Sequence, residues 1–284
     1  MTAREFVFLM SAPDQSGILA GVAATIAAQG GDIRDAASYG DNGAGQFFLR
    51  IHLSLPHDGH ADAMAAALMA SADRFRGKGQ LYDLGNKPKV MIAVSKFDHC
   101  LVDLLARFRK GQLDAELAVV FSNHEDARSL VEWHDVPFVH LPITPETKAQ
   151  QEADVKALIA SYEVDLVVLA RYMQILSPDM AATLSGRCIN IHHSFLPSFK
   201  GAKPYHQAHQ RGVKLIGATA HYVTDDLDEG PIIEQDVRRV THATSADEMV
   251  AIGREVEASV LGRAVRWHLE RRVLFNGRKT VVFS

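Results

Sequence analysis

The first 85 residues alternate between short apolar runs and segments with helical spacing, in the order strand, helix, strand, strand, helix, strand. The apolar residues Ile18, Val22 and Ile26 recur at helical spacing, and Ser16 before them is a candidate N-cap. A glycine-rich turn joins the second and third strands, which indicates a hairpin. This order predicts a ferredoxin-like βαββαβ domain. The predicted strands cover residues 6–10, 32–39, 46–53 and 80–84, and the second helix covers residues 61–72.

After a polar linker with Gly85 and Pro88, almost continuously apolar strands alternate with helical segments. This pattern is typical of a parallel sheet covered by helices on both faces. The predicted strands cover residues 90–94, 117–121, 138–141 and 164–170, and the predicted helices cover 100–109, 125–134 and 145–162. An antiparallel extension over 215–224 and 232–240, a long amphipathic helix over 246–270 and a last strand over 272–283 follow. We expect an α/β chain with two domains: residues 1–85, and residues 86–284 with an open, mostly parallel, Rossmann-like sheet.

Composition narrows the functional classes. The chain has 284 residues, 47% of them hydrophobic, and a formal net charge of −4, which argues against a nucleic-acid binder. No stretch approaches the roughly 18 uncharged apolar residues of a membrane span, and the first apolar run is too short for a signal-peptide core. Cys100 and Cys188 are the only cysteines, too few for a disulfide framework. A cytoplasmic protein is the simplest expectation.

The segment Asn-Ile-His-His-Ser at residues 190–194 contains the polar side chains that most strongly indicate a catalytic site. In a strand, Asn190 and His192 lie on the same face, and ligands of open α/β sheets bind beyond the carboxyl ends of parallel strands. An amide beside an imidazole can stabilise the oxyanion that forms when a nucleophile attacks a carbonyl. Considered alone, the two residues fit a turn cap and a core histidine equally well.

An acidic loop adds a carboxylate to this pair. It follows the predicted strand that carries His221 and contains Asp225 and Asp228. Folded back against His192, Asp228 would fix the tautomer of the imidazole and favour its protonated form. Burial would move the pKa of the carboxylate toward the working range of a general base. Asp225 also fits a solvent-exposed turn.

A second loop, residues 171–178, leaves the predicted strand 164–170 at the same edge of the sheet. Its exposed backbone N–H and C=O groups could bind a flat heterocycle through paired hydrogen bonds, with apolar side chains packed below the ring. An ordinary loop in which Ser177 and Pro178 begin a helix fits the same residues.

Other chemistries fit parts of this region. His206 and His209 have a spacing found in metal sites on helices, but the chain contains no His-Glu-x-x-His motif, and a surface helix over residues 204–211 also explains them. Ser194 beside two histidines suggests a nucleophile, although no Gly-x-Ser-x-Gly elbow surrounds it. Neither a Gly-x-Gly-x-x-Gly nor a P-loop sequence occurs, which disfavours a dinucleotide or ATP. We expect neither a metal nor a cofactor.

Taken together, residues 88–284 resemble the folate-dependent formyltransferase family. The resemblance rests on Asn190-x-His192 before Ser194-Phe195-Leu196-Pro197, and on His221-x-x-Thr224-x-x-Leu227-Asp228-x-Gly230-Pro231. By position, it implies that Asn190, His192 and Asp228 are catalytic. It also implies substrate-binding roles, mainly toward the pterin, for Tyr172, Met173, Gln174, Leu176, His221 and Asp225.

The N-terminal domain resembles an ACT domain, a module that often binds small amino acids, with Asp14 to Gly17 at its usual first turn. Within the formyltransferase relatives, this fusion is typical of enzymes that deformylate 10-formyltetrahydrofolate. Two departures from the ribonucleotide transferases agree with it. His193 stands where they have a proline, and residues 95–100 replace their Gly- and Asn-rich phosphate loop. Because no small residues let backbone amides approach a phosphate, a ribonucleotide acceptor loses its anchor and water can be the acceptor.

The resemblance therefore implies hydrolysis of 10-formyltetrahydrofolate to formate and tetrahydrofolate, which supplies formate for purine synthesis and balances one-carbon folate pools. The folate is a substrate, not a cofactor. The implied partners are this substrate, a small amino-acid effector at Asp14 and Gly17, and further copies of the chain paired through exposed strand edges of residues 1–85. A formyltransferase to an amine such as glycinamide ribonucleotide, a metal-dependent hydrolase and a non-catalytic amino-acid sensor stay open as alternatives.

Overall fold

The computed structural model describes residues 3–56, 60–194 and 204–283. The chain divides into two compact units, one formed by Met1–Lys87 with Arg271–Ser284 and the other by Pro88–Glu270. The sequence analysis placed the segment after residue 270 in the second domain. In the structure it belongs to the first unit, because its apolar side chains pack against the first sheet.

The first unit contains a four-stranded antiparallel sheet, with two helices in the connections. Its elements are β1 (Arg4–Pro13), α1 (Ile18–Ala28), β2 (Asp32–Asp41), β3 (Gln46–Leu55), α2 (Ala61–Arg74) and β4 (Lys78–Asp83). The strand order is β2-β3-β1-β4, and all three pairs are antiparallel. Apolar side chains of both helices and of the sheet form one core. The ferredoxin-like βαββαβ prediction is confirmed.

The start of α1 differs from the prediction. The N-cap is Gly17, not Ser16, and no side chain caps the helix. Gly17 has a φ of 90°, a left-handed conformation that glycine adopts without the steric cost of a Cβ. The turn into the helix is therefore made by backbone conformation.

The last segment forms a hairpin, so the prediction of a single strand over 272–283 is wrong. β12 (Val273–Asn276) and β13 (Lys279–Val282) pair antiparallel around Gly277, whose φ is 61°. Leu274, Val281 and Phe283 form an apolar cluster with Phe48 of β3. The neighbour of Phe48 in the strand, Leu49, lies in the helix-side core, and successive strand residues point to opposite faces. The hairpin thus covers the face of the sheet that is opposite the two helices.

The second unit is built on a seven-stranded, mostly parallel sheet. Its strands are β5 (Lys89–Val94), β6 (Glu116–Ser122), β7 (Phe138–His140), β8 (Leu166–Leu169), β9 (Cys188–His192), β10 (Leu215–Tyr222) and β11 (Ile232–Arg239). The helices are α3 (His99–Arg109), α4 (Arg128–Trp133), α5 (Lys148–Ser161), α6 (Pro178–Thr183), α7 (Pro204–Arg211) and α8 (Ala246–Leu269). The strand order is β11-β10-β9-β8-β5-β6-β7.

Strands β5 to β9 are parallel, and β10 and β11 extend the sheet antiparallel. The Rossmann-like prediction with its antiparallel extension is confirmed. Within the described parts of the chain, we find no helix that is long and apolar enough to cross a membrane.

Candidate active site

A pocket of about 410 Å³ lies at the carboxyl ends of β8 and β9. Three segments line it: the loop after β8, the end of β9, and the end of β10 with the acidic loop that follows. The sequence predicted each segment separately, and the structure brings them together. All the predicted catalytic and substrate-binding residues lie in its wall, namely Asn190, His192, Asp228, Tyr172, Met173, Gln174, Leu176, His221 and Asp225.

The pairing of β9 with β10 places three of these side chains on one face. Asn190 lies directly opposite His221, and His192 lies two residues further along β9, where side chains share a face. Nδ2 of Asn190 is 3.2 Å from Nε2 of His221. Nδ1 of His221 is 2.9 Å from the carbonyl oxygen of Tyr222, and a carbonyl only accepts, so Nδ1 carries a proton. Nε2 of His221 faces Asn190 and Asp228 in the pocket wall.

Asp228 contacts all three side chains. Its Oδ2 is 3.1 Å from Nδ1 of His192, and its Oδ1 is 3.6 Å from Nε2 of His221 and 3.4 Å from Nδ2 of Asn190. The loop that presents it is tightly constrained. Asp228 has a φ of 56°, a conformation that side-chain-bearing residues adopt at a cost, and a Cβ at Gly230 would lie 1.7 Å from the Tyr222 carbonyl oxygen.

The pKa of Asp228 is lowered, which contradicts the expectation that burial moves it toward the range of a general base. Burial does raise the pKa, but the close imidazoles of His192 and His221 outweigh burial and hold the pKa below its usual range. Asp228 is therefore ionised at neutral pH and accepts a proton poorly. Its geometry suits it to hold and orient His192.

Two neighbouring imidazoles complete the polar wall. His192 is 7% exposed, and its Nε2 has no hydrogen-bond partner among the described residues. Its ring stacks on that of His193, with centroids 5.0 Å apart and planes 26° apart. Burial, with Arg171 and His192 adding to it, lowers the pKa of His193 to about 4. His193 is consequently neutral at physiological pH.

Hydrogen bonds to neighbouring side chains hold the loop after β8 in place. Gln151 donates a hydrogen bond to the hydroxyl of the buried Tyr172 at 2.8 Å, which places this ring in the core beneath the pocket. The backbone N–H of Met173 donates to Oγ of Ser95 at 3.0 Å. Met173 is half exposed. The loop lines the pocket, and Ser177 caps α6, with its Oγ accepting from Met180 N at 3.1 Å, as the interpretation of a helix start predicts.

Sequence reasoning missed a buried carboxylate next to this wall. Glu257 of α8 is 1% exposed. Tyr205 donates to its Oε1 at 2.7 Å, and Oε2 lies 2.8 Å from Nε2 of His99 and 3.4 Å from Nε of Arg171. The available signal was a charged residue within the apolar stripe of the helix, between Val256 and Val260.

The structure does not favour the metal alternative among the residues it describes. His206 and His209 are exposed on α7, as the surface-helix interpretation predicts. His99, Cys100 and Glu257 offer ligand atoms within 4.8 Å of one another. However, the Arg171 guanidinium beside Glu257 opposes a cation there.

The other predicted residues fall into two groups. The motif residues Phe195, Leu196 and Pro197 lie outside the described residues. Asp14 and Gly17 lie in the turn between β1 and α1 of the first unit, where Asp14 N donates to the carbonyl oxygen of Gly45 at 2.9 Å.

Comparison with known proteins agrees with this geometry. Residues 88–265 match the formyl transferase family model. A formyltetrahydrofolate deformylase from Corynebacterium sp. (strain P-1) is 48% identical over 279 residues, which cover 97% of each chain. The crystal structure of a formyltetrahydrofolate deformylase from Burkholderia mallei is 48% identical, has a TM-score of 0.94 and covers 99% of this chain and 100% of that one.

A transferase is a weaker match. A glycinamide ribonucleotide transformylase from Symbiobacterium toebii is 29% identical with a TM-score of 0.64, and the match covers 72% of this chain and 98% of that one. Part of this chain has no counterpart there, whereas the deformylases match it almost from end to end. The chain therefore belongs to the formyltetrahydrofolate deformylases, within the formyl transferase family.

Proposed function

We propose that this chain hydrolyses 10-formyltetrahydrofolate to formate and tetrahydrofolate. The observation that carries the proposal is the grouping of Asn190, His192 and Asp228 in one pocket. The match to deformylases over nearly the whole chain supports water, and not an amine, as the formyl acceptor.

In the proposed mechanism, water attacks the formyl carbon and the carbonyl oxygen becomes an oxyanion. Nδ2–H of Asn190 and Nε2–H of the protonated His192 donate to this oxygen. The contact of Asn190 with Asp228 is long, at 3.4 Å, so the substrate oxygen competes well for that N–H. Asp228 accepts from Nδ1–H of His192 and holds the ring in place. Donors fixed before the reaction stabilise the developing charge without further reorganisation.

The pterin binds along the loop after β8. Its backbone groups offer paired hydrogen bonds, and the anchors at Ser95 and Gln151 keep the loop in one conformation. The half-exposed Met173 and Ile175 supply apolar surface at the pocket. Asp225 and His221, which line the same pocket, complete the binding site. A rigid apolar pocket with a few placed polar groups suits a flat heterocycle.

Neither a metal nor a cofactor takes part in this mechanism, because Asn190 and His192 meet the developing charge. The proposal extends to three further properties. A small amino acid binds at Asp14 and Gly17, subunits pair through the edge strand β2, which is exposed along nearly its whole length, and the enzyme acts in the cytoplasm. Cys100 and Cys188 are buried free thiols, which suits a reducing compartment.

Formate release by the purified chain tests the main proposal and its rivals together. With 10-formyltetrahydrofolate, excess chelator and no amine, we expect steady formate release. A transferase would need an added amine acceptor. A metal-dependent hydrolase would stop on chelation and recover with zinc, and an amino-acid sensor would bind ligand without turnover. Light scattering at micromolar concentration checks the oligomer, and a monomer would contradict it.

A further inference from the structure

Hydrolysis requires a group that takes a proton from the attacking water, and both carboxylate oxygens of Asp228 already face His192, His221 and Asn190. We infer that the imidazole of His193 is this general base. The inference rests on the hydrolysis proposed above and assigns its proton transfer to a named side chain.

The first argument is the position of His193. It lines the pocket together with Asn190 and His192, and its ring stacks on that of His192 at 5.0 Å. In this proposal the attacking water binds between His193 and the formyl carbon whose oxygen the two donors hold. A general base must lie within hydrogen-bond reach of the proton it removes, and His193 lies in the wall of the same pocket as the two donors.

The second argument is that the ring nitrogens of His193 are available. Within the part of the chain that the structure describes, neither of them has a hydrogen-bond partner. Both nitrogens of His221 are engaged, by Asn190 and by the Tyr222 carbonyl oxygen, and Nδ1 of His192 is engaged by Asp228. Among these three imidazoles, His193 therefore has the most freedom to accept from water.

The third argument is the charge around His193. Arg171 from the loop after β8 and the adjacent His192 disfavour its protonation, while Glu257 of α8 and Asp228 of the acidic loop favour it. With burial as the largest contribution, the pKa of His193 falls to about 4, so the ring is neutral at physiological pH and keeps a lone pair. It is still a stronger proton acceptor than Asp228, whose pKa is held below the usual carboxylate range. Arg171 is held in place by its ion pair with Glu257, at 3.4 Å.

The proton transfers balance without another reactant. The water oxygen bonds to the formyl carbon as one water proton moves to His193, and the carbonyl oxygen becomes the oxyanion held by Asn190 and His192. When the intermediate collapses, the bond from carbon to N10 breaks and the His193 imidazolium returns its proton to N10. Formic acid leaves and ionises in solvent.

His193→Ala with and without added imidazole tests this assignment. Loss of a general base typically costs about a hundred- to ten-thousandfold, so kcat should fall in that range while KM changes little. Imidazole in solution should restore part of the turnover, with a pH dependence that follows the titration of free imidazole. His193→Gln, which can hold water but cannot take its proton, should be as slow and should not be rescued.

The control is His242→Ala, an exposed histidine of the second unit, which should keep normal turnover. Near-normal kcat in His193→Gln would overturn the assignment, as would a loss in a folded, folate-binding His193→Ala that imidazole does not restore. If the unaltered chain releases no formate, the proposed function itself fails. If the unaltered chain releases formate and the His193 variants release it at the same rate, only the assignment of His193 fails.

Discussion

Asp228 is the residue on which the polar wall of the pocket depends, since it contacts Asn190, His192 and His221. Its negative charge fixes the imidazole of His192, and its loop conformation requires a φ of 56°. A change at this position affects both oxyanion donors together. We therefore expect it to cost more than the loss of either donor alone.

The first prediction concerns this charge. Asp228→Asn keeps the shape of the side chain but removes the negative charge that accepts the hydrogen bond from Nδ1–H of His192. We therefore expect kcat to fall further in Asp228→Asn than in Asn190→Ala or His192→Ala. Each of these should lose about a hundred- to a thousandfold. Steady-state kinetics with circular dichroism measures both rate and fold. Asp126→Asn, an exposed carboxylate of the same unit, is the control, and a folded Asp228→Asn with near-normal kcat would contradict the assignment.

The second prediction concerns pH and His193. Its pKa of about 4 in the folded chain lies below the unfolded value of about 6.5, so the unfolded chain binds this proton first as pH falls. Stability should therefore decrease as pH drops from about 6.5 toward 4, by an amount that His193→Asn removes. Urea unfolding of both chains at pH 7 and pH 5 measures the difference. An equal loss of unfolding free energy in the two would argue against a buried neutral ring.

At this scale the sequence predicted which residues meet, but not how they are charged. Asn190, His192 and Asp228 could be found because strand periodicity and the acidic loop are visible in the chain. The direction of the pKa shift of Asp228 could not, because it depends on the nearby imidazoles of His192 and His221. The antiparallel register that places Asn190 opposite His221 brings these rings together, and no local pattern specifies a register.

At the scale of elements, Glu257 of α8 links this helix to α3, to α7 and to the loop after β8. The carboxylate bonds to Tyr205 of α7 and to His99 of α3, and pairs with Arg171 after β8. Burial raises its pKa, but these partners outweigh burial and lower it, so the group is a buried anion. Buried charges destabilise the fold strongly once a partner is lost.

The third prediction follows from this network. Tyr205→Phe leaves Oε1 of Glu257 without its donor and should reduce the free energy of unfolding by about 1–3 kcal/mol. Chemical denaturation measures it. Tyr162→Phe is a matched control, because the Tyr162 hydroxyl has no hydrogen-bond partner among the described residues. Equal stability of the two variants would show that the hydroxyl of Tyr205 does not support the buried charge.

At the scale of the whole molecule, the chain ends in the unit where it began. The hairpin of β12 and β13 packs Leu274 and Val281 against Phe48 of the first sheet. The sequence contained a signal for it, since Asn276-Gly277, between the apolar runs 273–275 and 281–283, is a common hairpin turn. The order of elements and both sheets could be predicted from periodicity. The packing of the last segment on the first sheet could not be predicted, because the local sequence does not specify which surface an apolar hairpin covers.

The fourth prediction tests this packing. Leu274→Ala should destabilise the first unit by about 2–5 kcal/mol, as expected for a buried leucine. Leu19→Ala, on the exposed side of α1 at 41% exposure, should have little effect. Hydrogen exchange of first-unit amides separates this unit from the rest. Unchanged protection of β3 in Leu274→Ala would mean that the hairpin adds no stability there.

The central claim is that water receives the formyl group, and isotope labelling tests it most directly. The purified chain is given 10-formyltetrahydrofolate in water enriched in oxygen-18, with chelator present and no amine. The account predicts formate that carries one labelled oxygen, formed together with tetrahydrofolate in equal amounts. Unlabelled formate, or turnover that begins only when an amine or a metal is added, would contradict it.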